Sequence, residues 1–276
     1  MTKSTSVSLI VSTYNWCEAL SLCLASIKEQ IVLPDEVIIA DDGSQKETRQ
    51  LIERIAVTFP VPLIHVWQPD EGFQLSKIRN KAIARSSKDY IIQIDGDLIL
   101  HPQFVSDHIE FSLPDTFATG SRLLMDENLS QNVLKNQRIK IGIFSKGISN
   151  FINGVRSRAL RRFFGNGYKS GDIYYMRGCN MAFWRSDLIK VNGYNEDFVG
   201  WGREDNEIAI RLINSGVRKR SIKFGAIAFH IYHNESTRHS LRENEELLLL
   251  AIESKTTNCL KGIDQYLHFS DVNQYR

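Results

Sequence analysis

Four stretches of this chain carry side chains that could do chemistry together. The first is Asp95-Gly96-Asp97, which ends the apolar run Tyr90-Ile91-Ile92-Gln93-Ile94. Residues i and i+2 of a strand share a face, so both carboxylates can point the same way. Two anions held that close repel unless one takes a proton or a cation sits between them. Oxygen ligands select Mg2+ or Mn2+ over softer ions, and such an ion neutralises a nucleotide diphosphate as it leaves. Alone, the triplet reads equally well as a solvated turn. The second stretch is Gly200-Trp201-Gly202-Arg203-Glu204-Asp205, where two glycines flank a tryptophan and two acids open a helix. It reads either as acids complementing a helix dipole or as a mobile loop with an aromatic sugar platform followed by a carboxylate that works. The third is Phe229-His230-Ile231-Tyr232-His233. A strand continuing to its end puts His230 and His233 on opposite faces, and a turn after Tyr232 brings His233 back, where one or both could complete a metal shell. The fourth, Lys77-Ile78-Arg79-Asn80-Lys81, opens a helix whose basic groups could face a diphosphate or only water.

The elements that must position these residues alternate in period. Apolar runs at Val7–Val11, Glu36–Ala40, Leu63–Trp67 and Asp89–Ile94 read as strands. Between them, Glu18–Gln30, Lys46–Val57 and Leu75–Ala84 carry apolar residues at helical spacing. Such alternation predicts a parallel sheet, in which ligands bind beyond the carboxyl ends of the strands. Those ends read Ser12-Thr13-Tyr14-Asn15, Asp41-Asp42-Gly43-Ser44, Gln68-Pro69-Asp70-Glu71-Gly72 and Asp95-Gly96-Asp97. Any one of them is ordinary turn chemistry; three acidic ends at one sheet edge favour a cation or ligand site. Later, Arg177–Trp184 and Ile222–His230 read as strands, and Glu204–Ser215 and Leu241–Ile252 as helices.

Composition sets the bounds. The chain has 276 residues, 42% hydrophobic and 24% charged, an ordinary globular balance. A net charge of +2 implies no nucleic-acid partner. Four scattered cysteines form no CxxC pair and suggest reduced thiols in a cytoplasmic chain. No signal-peptide pattern opens the chain, and no apolar run is long enough to span a membrane.

Together these residues resemble the family-2 glycosyltransferases of the GT-A fold. The matching pieces are Val7 to Asn15, Asp41-Asp42-Gly43-Ser44, Arg79-Asn80 and Asp95-Gly96-Asp97, in family order, while Gly200 to Leu212 resembles the signature of β-1,4-galactosyltransferases and chondroitin-type polymerases. The resemblance implies an α/β fold, a mixed, mostly parallel Rossmann-like sheet flanked by helices. It implies that Thr13, Asp42 and Arg79 contact uridine, with Asp41 near the nucleotide. Asp95 would lie by the ribose or the metal, and Asp97 would bind Mn2+ or Mg2+ with His233. His230 stands where the galactosyltransferase branch places a methionine ligand. Asp205 matches the general base, Glu204 an acid that orients the acceptor, and Trp201 the aromatic of the closing loop.

The expected activity is metal-dependent, inverting transfer of a hexose or N-acetylhexosamine from a UDP-sugar, UDP-galactose or its N-acetyl form favoured, to a glycan or lipid-linked glycan in cell-surface polysaccharide synthesis. Rival readings are a sugar-nucleotide nucleotidyltransferase and a non-catalytic UDP-sugar-binding protein on the same fold. The expected organisation is a nucleotide-sugar half over 1–100, an acceptor and catalytic half over 101–235 and a helical tail over 236–276. Residues 128–171 hold nine Lys or Arg and no acid. That segment reads either as a peripheral contact with the inner face of the cytoplasmic membrane or as an acceptor-side helix with its charges in water.

Overall fold

Runs that are apolar at every position become the middle of a sheet covered on both faces. Strand β1 (Val7–Thr13) is buried along its length. Its Val7, Leu9 and Val11 join the core on one side and Ile10 the core on the other. Strand β4 (Tyr90–Asp95) divides in the same way, with Ile92 and Ile94 on the first side and Ile91 on the second. The computed structural model describes residues 5–165, 167–234 and 237–267.

Between β1 and β4 come α1 (Cys17–Lys28), β2 (Glu36–Asp41), α2 (Lys46–Ala56), β3 (Leu63–Trp67) and α3 (Leu75–Arg85). The strands lie in the order β3-β2-β1-β4, all parallel, as the periodicity predicts. Then follow β5 (Leu98–Leu100), α4 (Phe104–Phe111), β6 (Thr116–Thr119), β7 (Leu123–Met125), α5 (Glu127–Lys135), β8 (Ile148–Ser149), a 3-10 turn over Phe151–Gly154, and α6 (Arg158–Phe164). The chain continues through β9 (Asn180–Trp184), α7 (Arg185–Lys190), α8 (Glu204–Asn214), β10 (Arg218–Ser221), β11 (Ala228–His230), α9 (Leu241–Glu253) and α10 (Asp264–Leu267).

Strand β9 runs antiparallel to both β4 and β6, and β10 pairs parallel with β6, giving a seven-stranded sheet that is mostly parallel. A second sheet of four strands has the order β5-β11-β7-β8 and its own core of Ile99, Leu123, Ile227 and Phe229 among others. No helix among the described residues is long and apolar enough to cross a membrane.

One expectation is corrected. Ile222–His230 is not one strand: β10 ends at Ser221, β11 begins at Ala228, and the two belong to different sheets. A buried ion pair pulls the intervening chain out of line. The Asp107 carboxylate accepts a hydrogen bond from the Ala226 amide at 3.0 Å while pairing with Arg161 at 2.7 Å and Arg156 at 2.8 Å. Phe224 and Ala226 take positive φ of 62° and 47° to make the detour.

Candidate active site and metal centre

Strand β4 ends in a tight turn. The Gly96 amide donates to the Ser12 carbonyl at 2.7 Å, and a Cβ there would stand 3.0 Å from that same oxygen. The turn carries the chain from the large sheet into β5 of the small one. Strand β11 lies antiparallel to β5 with His230 opposite Leu98, so His230 emerges beside Asp97. The Ile231 amide donates to the Asp97 carbonyl at 3.0 Å, and the backbone leaves the strand there, which returns His233 to the same carboxylate. His230 Nε2 and His233 Nε2 lie 3.3 and 3.1 Å from Asp97 Oδ2. The Trp16 ring packs edge-on against His233 at 5.8 Å.

One ligand atom from each of Asp97, His230 and His233 falls within 4.8 Å of the others. Burial raises the Asp97 carboxyl, but hydrogen bonds and charge from the two imidazoles outweigh it and hold Asp97 well below the usual carboxylate range. The same contact with Asp97 raises His233 to about 9. Asp97 Oδ1 is buried without a hydrogen-bond partner. A carboxylate with an unmatched buried oxygen and two imidazoles is a mixed oxygen and nitrogen donor set; it fits a transition-metal ion such as Mn2+ and not Mg2+, which is held through oxygen.

A second constellation surrounds Arg79, whose side chain is 1% exposed. Its guanidinium stands 2.9 Å from Asp205, 3.4 Å from Asp95 and 3.5 Å from Glu204, over the Tyr194 ring at 5.3 Å. One cation thus faces three carboxyls. Burial, then the charge of Asp205, pushes Glu204 up to about 8, so a proton on Glu204 relieves the surplus at neutral pH. Gln93, on the same face of β4 as Asp95, accepts from the Tyr194 hydroxyl at 3.0 Å, and that hydroxyl also lies 3.4 Å from Asp205 Oδ1. Asp205 Oδ2 lies against Gly178, where a Cβ would come within 1.9 Å; only glycine leaves that oxygen room.

The nucleotide-side residues cluster where β1, β2 and β3 end. Asp42 accepts from Gln68 Nε2 at 2.6 Å and from the Gln74 amide at 2.8 Å. Burial nevertheless pushes its carboxyl up to about 6. Asp41 is turned inward: its two oxygens meet the Ser44 amide at 2.8 Å and His65 Nε2 at 2.9 Å. Thr13 pairs with Asp41 in the sheet and is 9% exposed. The basic start of α3 does not gather into a cradle. Lys77 pairs with Glu71 at 2.9 Å, and Asn80 bonds the Tyr194 backbone at 2.7 Å through both of its amide atoms.

The Gly200–Gly202 loop lies against the start of α9. Asn244 Nδ2 donates to the carbonyls of Val199 and Gly202 at 3.3 and 2.9 Å. Arg203, at φ 79°, pairs with Glu245. Arg238 sits over the Trp201 ring at 5.2 Å, and Trp201 remains 40% exposed.

The structure therefore brings Asp95, Glu204 and Asp205 together through Arg79, and Asp97, His230 and His233 together as a separate group. Sequence reasoning missed Arg122, which bonds Cys179 Sγ at 2.8 Å and whose charge reaches Asp95 and Asp97. It also missed the hold of α9 on the loop, because neither Arg122 nor α9 carries a motif. A cavity of about 540 Å3 lies along β10 by Arg218 and Lys219 and contains none of these acids; side-chain chemistry, not volume, marks the site.

Comparison with known proteins gives the family and the fold. The model of the glycosyl transferase family 2 matches residues 8–191, and the model described as N-terminal domain of galactosyltransferase matches 163–234. Chondroitin synthase of Escherichia coli is 28% identical over 242 residues, 81% of this chain and 34% of that protein. The chain thus spans about a third of the length of that curated relative. Among solved structures, a mannosyltransferase from Pyrobaculum calidifontis in complex with GDP-Man and Mn2+ superposes with a TM-score of 0.60 at 19% identity, covering 92% of this chain and 64% of that one. S. aureus TarS 1-349 in complex with UDP superposes with a TM-score of 0.60 at 16% identity, covering 96% and 70%. The fold is GT-A, and the chain belongs to glycosyl transferase family 2.

Proposed function

We propose that this chain transfers a hexose or N-acetylhexosamine, galactose or N-acetylgalactosamine foremost, from a UDP-sugar to a glycan or lipid-linked glycan acceptor, with inversion, in cell-surface polysaccharide synthesis. The observation that carries the reading is the convergence of Asp97, His230 and His233 beside the acids held by Arg79. Likeness to a chondroitin synthase supports the acceptor class, and the UDP bound to TarS supports the nucleotide.

Asp97, His233 and His230 would hold Mn2+, which would supply positive charge to the departing diphosphate. Asp42 and Thr13 bind the uridine edge, and Asp95 meets the ribose. Asp41, with both oxygens engaged, shapes the turn behind the nucleotide. Arg79 positions Asp95 and Asp205 instead of touching the base. Protonated Glu204 holds the acceptor, and Trp201 stacks on a sugar face. Asp205 takes the proton of the acceptor hydroxyl. The acceptor oxygen bonds to the anomeric carbon as the bond to the UDP oxygen breaks on the opposite side.

A hydrolysis screen across UDP-sugars with Mn2+ tests the reading. UDP release from one donor, abolished by chelator, is expected. No UDP from any donor, with or without saccharide acceptors, contradicts it.

A further inference from the structure

Helix α6 is built inside out. A surface helix ordinarily buries its apolar stripe and exposes its charges. In α6 the buried side chain is Arg161, which pairs with Asp107 at 2.7 Å and Glu110 at 2.5 Å, while Leu160, Phe163 and Phe164 are 40%, 81% and 38% exposed. The preceding 3-10 turn repeats the pattern: it buries Gly154 and exposes Phe151 and Ile152. Phe144 is 85% exposed, and the chain beside it is close to the turn, since the Ile143 side chain lies 2.7 Å from where a Gly154 Cβ would be. Of the 21 large hydrophobic side chains exposed among the described residues, seven fall between 144 and 164. A cluster of this kind marks an interaction site.

Charge decides what meets it. Lys135, Arg138, Lys140, Lys146 and Arg162 are exposed in the same stretch of chain, Arg158 pairs with Glu110 at 3.2 Å, and residues 128–171 themselves contain no Asp or Glu. Two copies apposed through this face would set like charges against each other. A surface with negative headgroups above an apolar layer complements both features. The segment is also tied to the sheet that carries the metal centre. Strand β8, just before the 3-10 turn, pairs with β7, which pairs with β11 and its terminal His230, and Asn153 donates to the Arg122 carbonyl at 2.9 Å.

We propose that residues 144–164 are a membrane-docking surface, in which the exposed aromatic and aliphatic side chains enter the headgroup boundary of an anionic bilayer and the surrounding lysines and arginines meet its headgroups. This docking would hold the centre formed by Asp97, His230 and His233 at a lipid surface. It goes beyond the proposed transfer reaction and stands without it, since binding to vesicles is read with no sugar present.

The test is flotation with vesicles of phosphatidylglycerol and phosphatidylcholine, or of phosphatidylcholine alone, at low and high salt. Wild-type protein should float with the anionic vesicles at low salt, at least tenfold more weakly at high salt, and hardly at all with neutral ones. The double variant Phe144→Ser/Phe163→Ser, at two highly exposed positions, should lose most of the binding while its melting curve matches wild type, and Lys140→Glu/Lys146→Glu should lose the salt-sensitive part. No flotation at low salt, or equal flotation of the aromatic variant and wild type, overturns the proposal. So does light scattering that shows a dimer which the aromatic variant dissolves, for the face then covers a second copy.

Discussion

Asp205 offers Oδ1 to Arg79 and Tyr194 and keeps Oδ2 against Gly178. Asparagine preserves the first contact and cannot take a proton. Asp205→Asn should therefore lower the turnover number about a hundredfold to ten-thousandfold, the usual worth of a general base, and leave the UDP dissociation constant within about threefold by calorimetry. Equal loss of turnover and UDP binding would remove Asp205 from the role of base. Asp42 carries a different consequence. Its carboxyl is raised from near 3.8 to about 6 in the folded chain, so the fold retains a proton that the unfolded chain releases. That contribution is complete below pH 3.8 and is lost as pH rises through 6. Asp42→Asn should flatten the decline, worth at most about 2–3 kcal/mol, in denaturant titrations at pH 4, 5, 6 and 7. An unchanged pH profile would show that the carboxyl is not held protonated.

At the scale of elements, the grip of α9 on the Trp201 loop separates acceptor handling from donor handling. Asn244 is 2% exposed and satisfies two loop carbonyls. Each such bond contributes roughly 0.5–1.5 kcal/mol. Asn244→Ala should raise the acceptor KM about tenfold and leave acceptor-independent donor hydrolysis within about twofold; a parallel fall in both would mean that the variant loosens α8 and its acids instead. The loop's residues announced themselves in sequence through Gly-Trp-Gly and the two acids, but its restraint from a helix some forty residues later did not. The same contrast runs through the fold. Strands β1, β2 and β4 were legible because burial on both faces writes continuous apolar runs; β3, at the sheet edge, is only partly buried. Strand β10, Arg218-Lys219-Arg220-Ser221, has no such signature. Its Lys219 is buried and donates to backbone carbonyls of Lys169 and Asp172, and the half-buried Arg220 donates to that of Phe111, so charge disguised a strand. The detour between β10 and β11 was hidden too, because its mostly apolar residues read as strand while the turn depends on Asp107, paired with Arg161, far away in sequence.

At the scale of the whole molecule, the candidate site lies where two sheets meet. Strand β4 supplies Gln93 and Asp95 on the side of Arg79 and Asp205, and the Gly96 turn delivers Asp97 to the small sheet, where β11 and the chain after it add His230 and His233. Residue types alone nominated these histidines, but the antiparallel pairing of β11 with β5 places His230, and the departure of the backbone after the Ile231–Asp97 bond returns His233 to the same carboxylate. The direct measurement is a Mn2+ titration in the presence of UDP, with the free ion read by electron paramagnetic resonance and folding checked by circular dichroism. Wild-type protein should bind one ion per chain, and Asp97→Ala and His233→Ala should each bind it at least about tenfold more weakly with the fold intact. Mn2+ binding by Asp97→Ala as tight as by wild type would contradict the account.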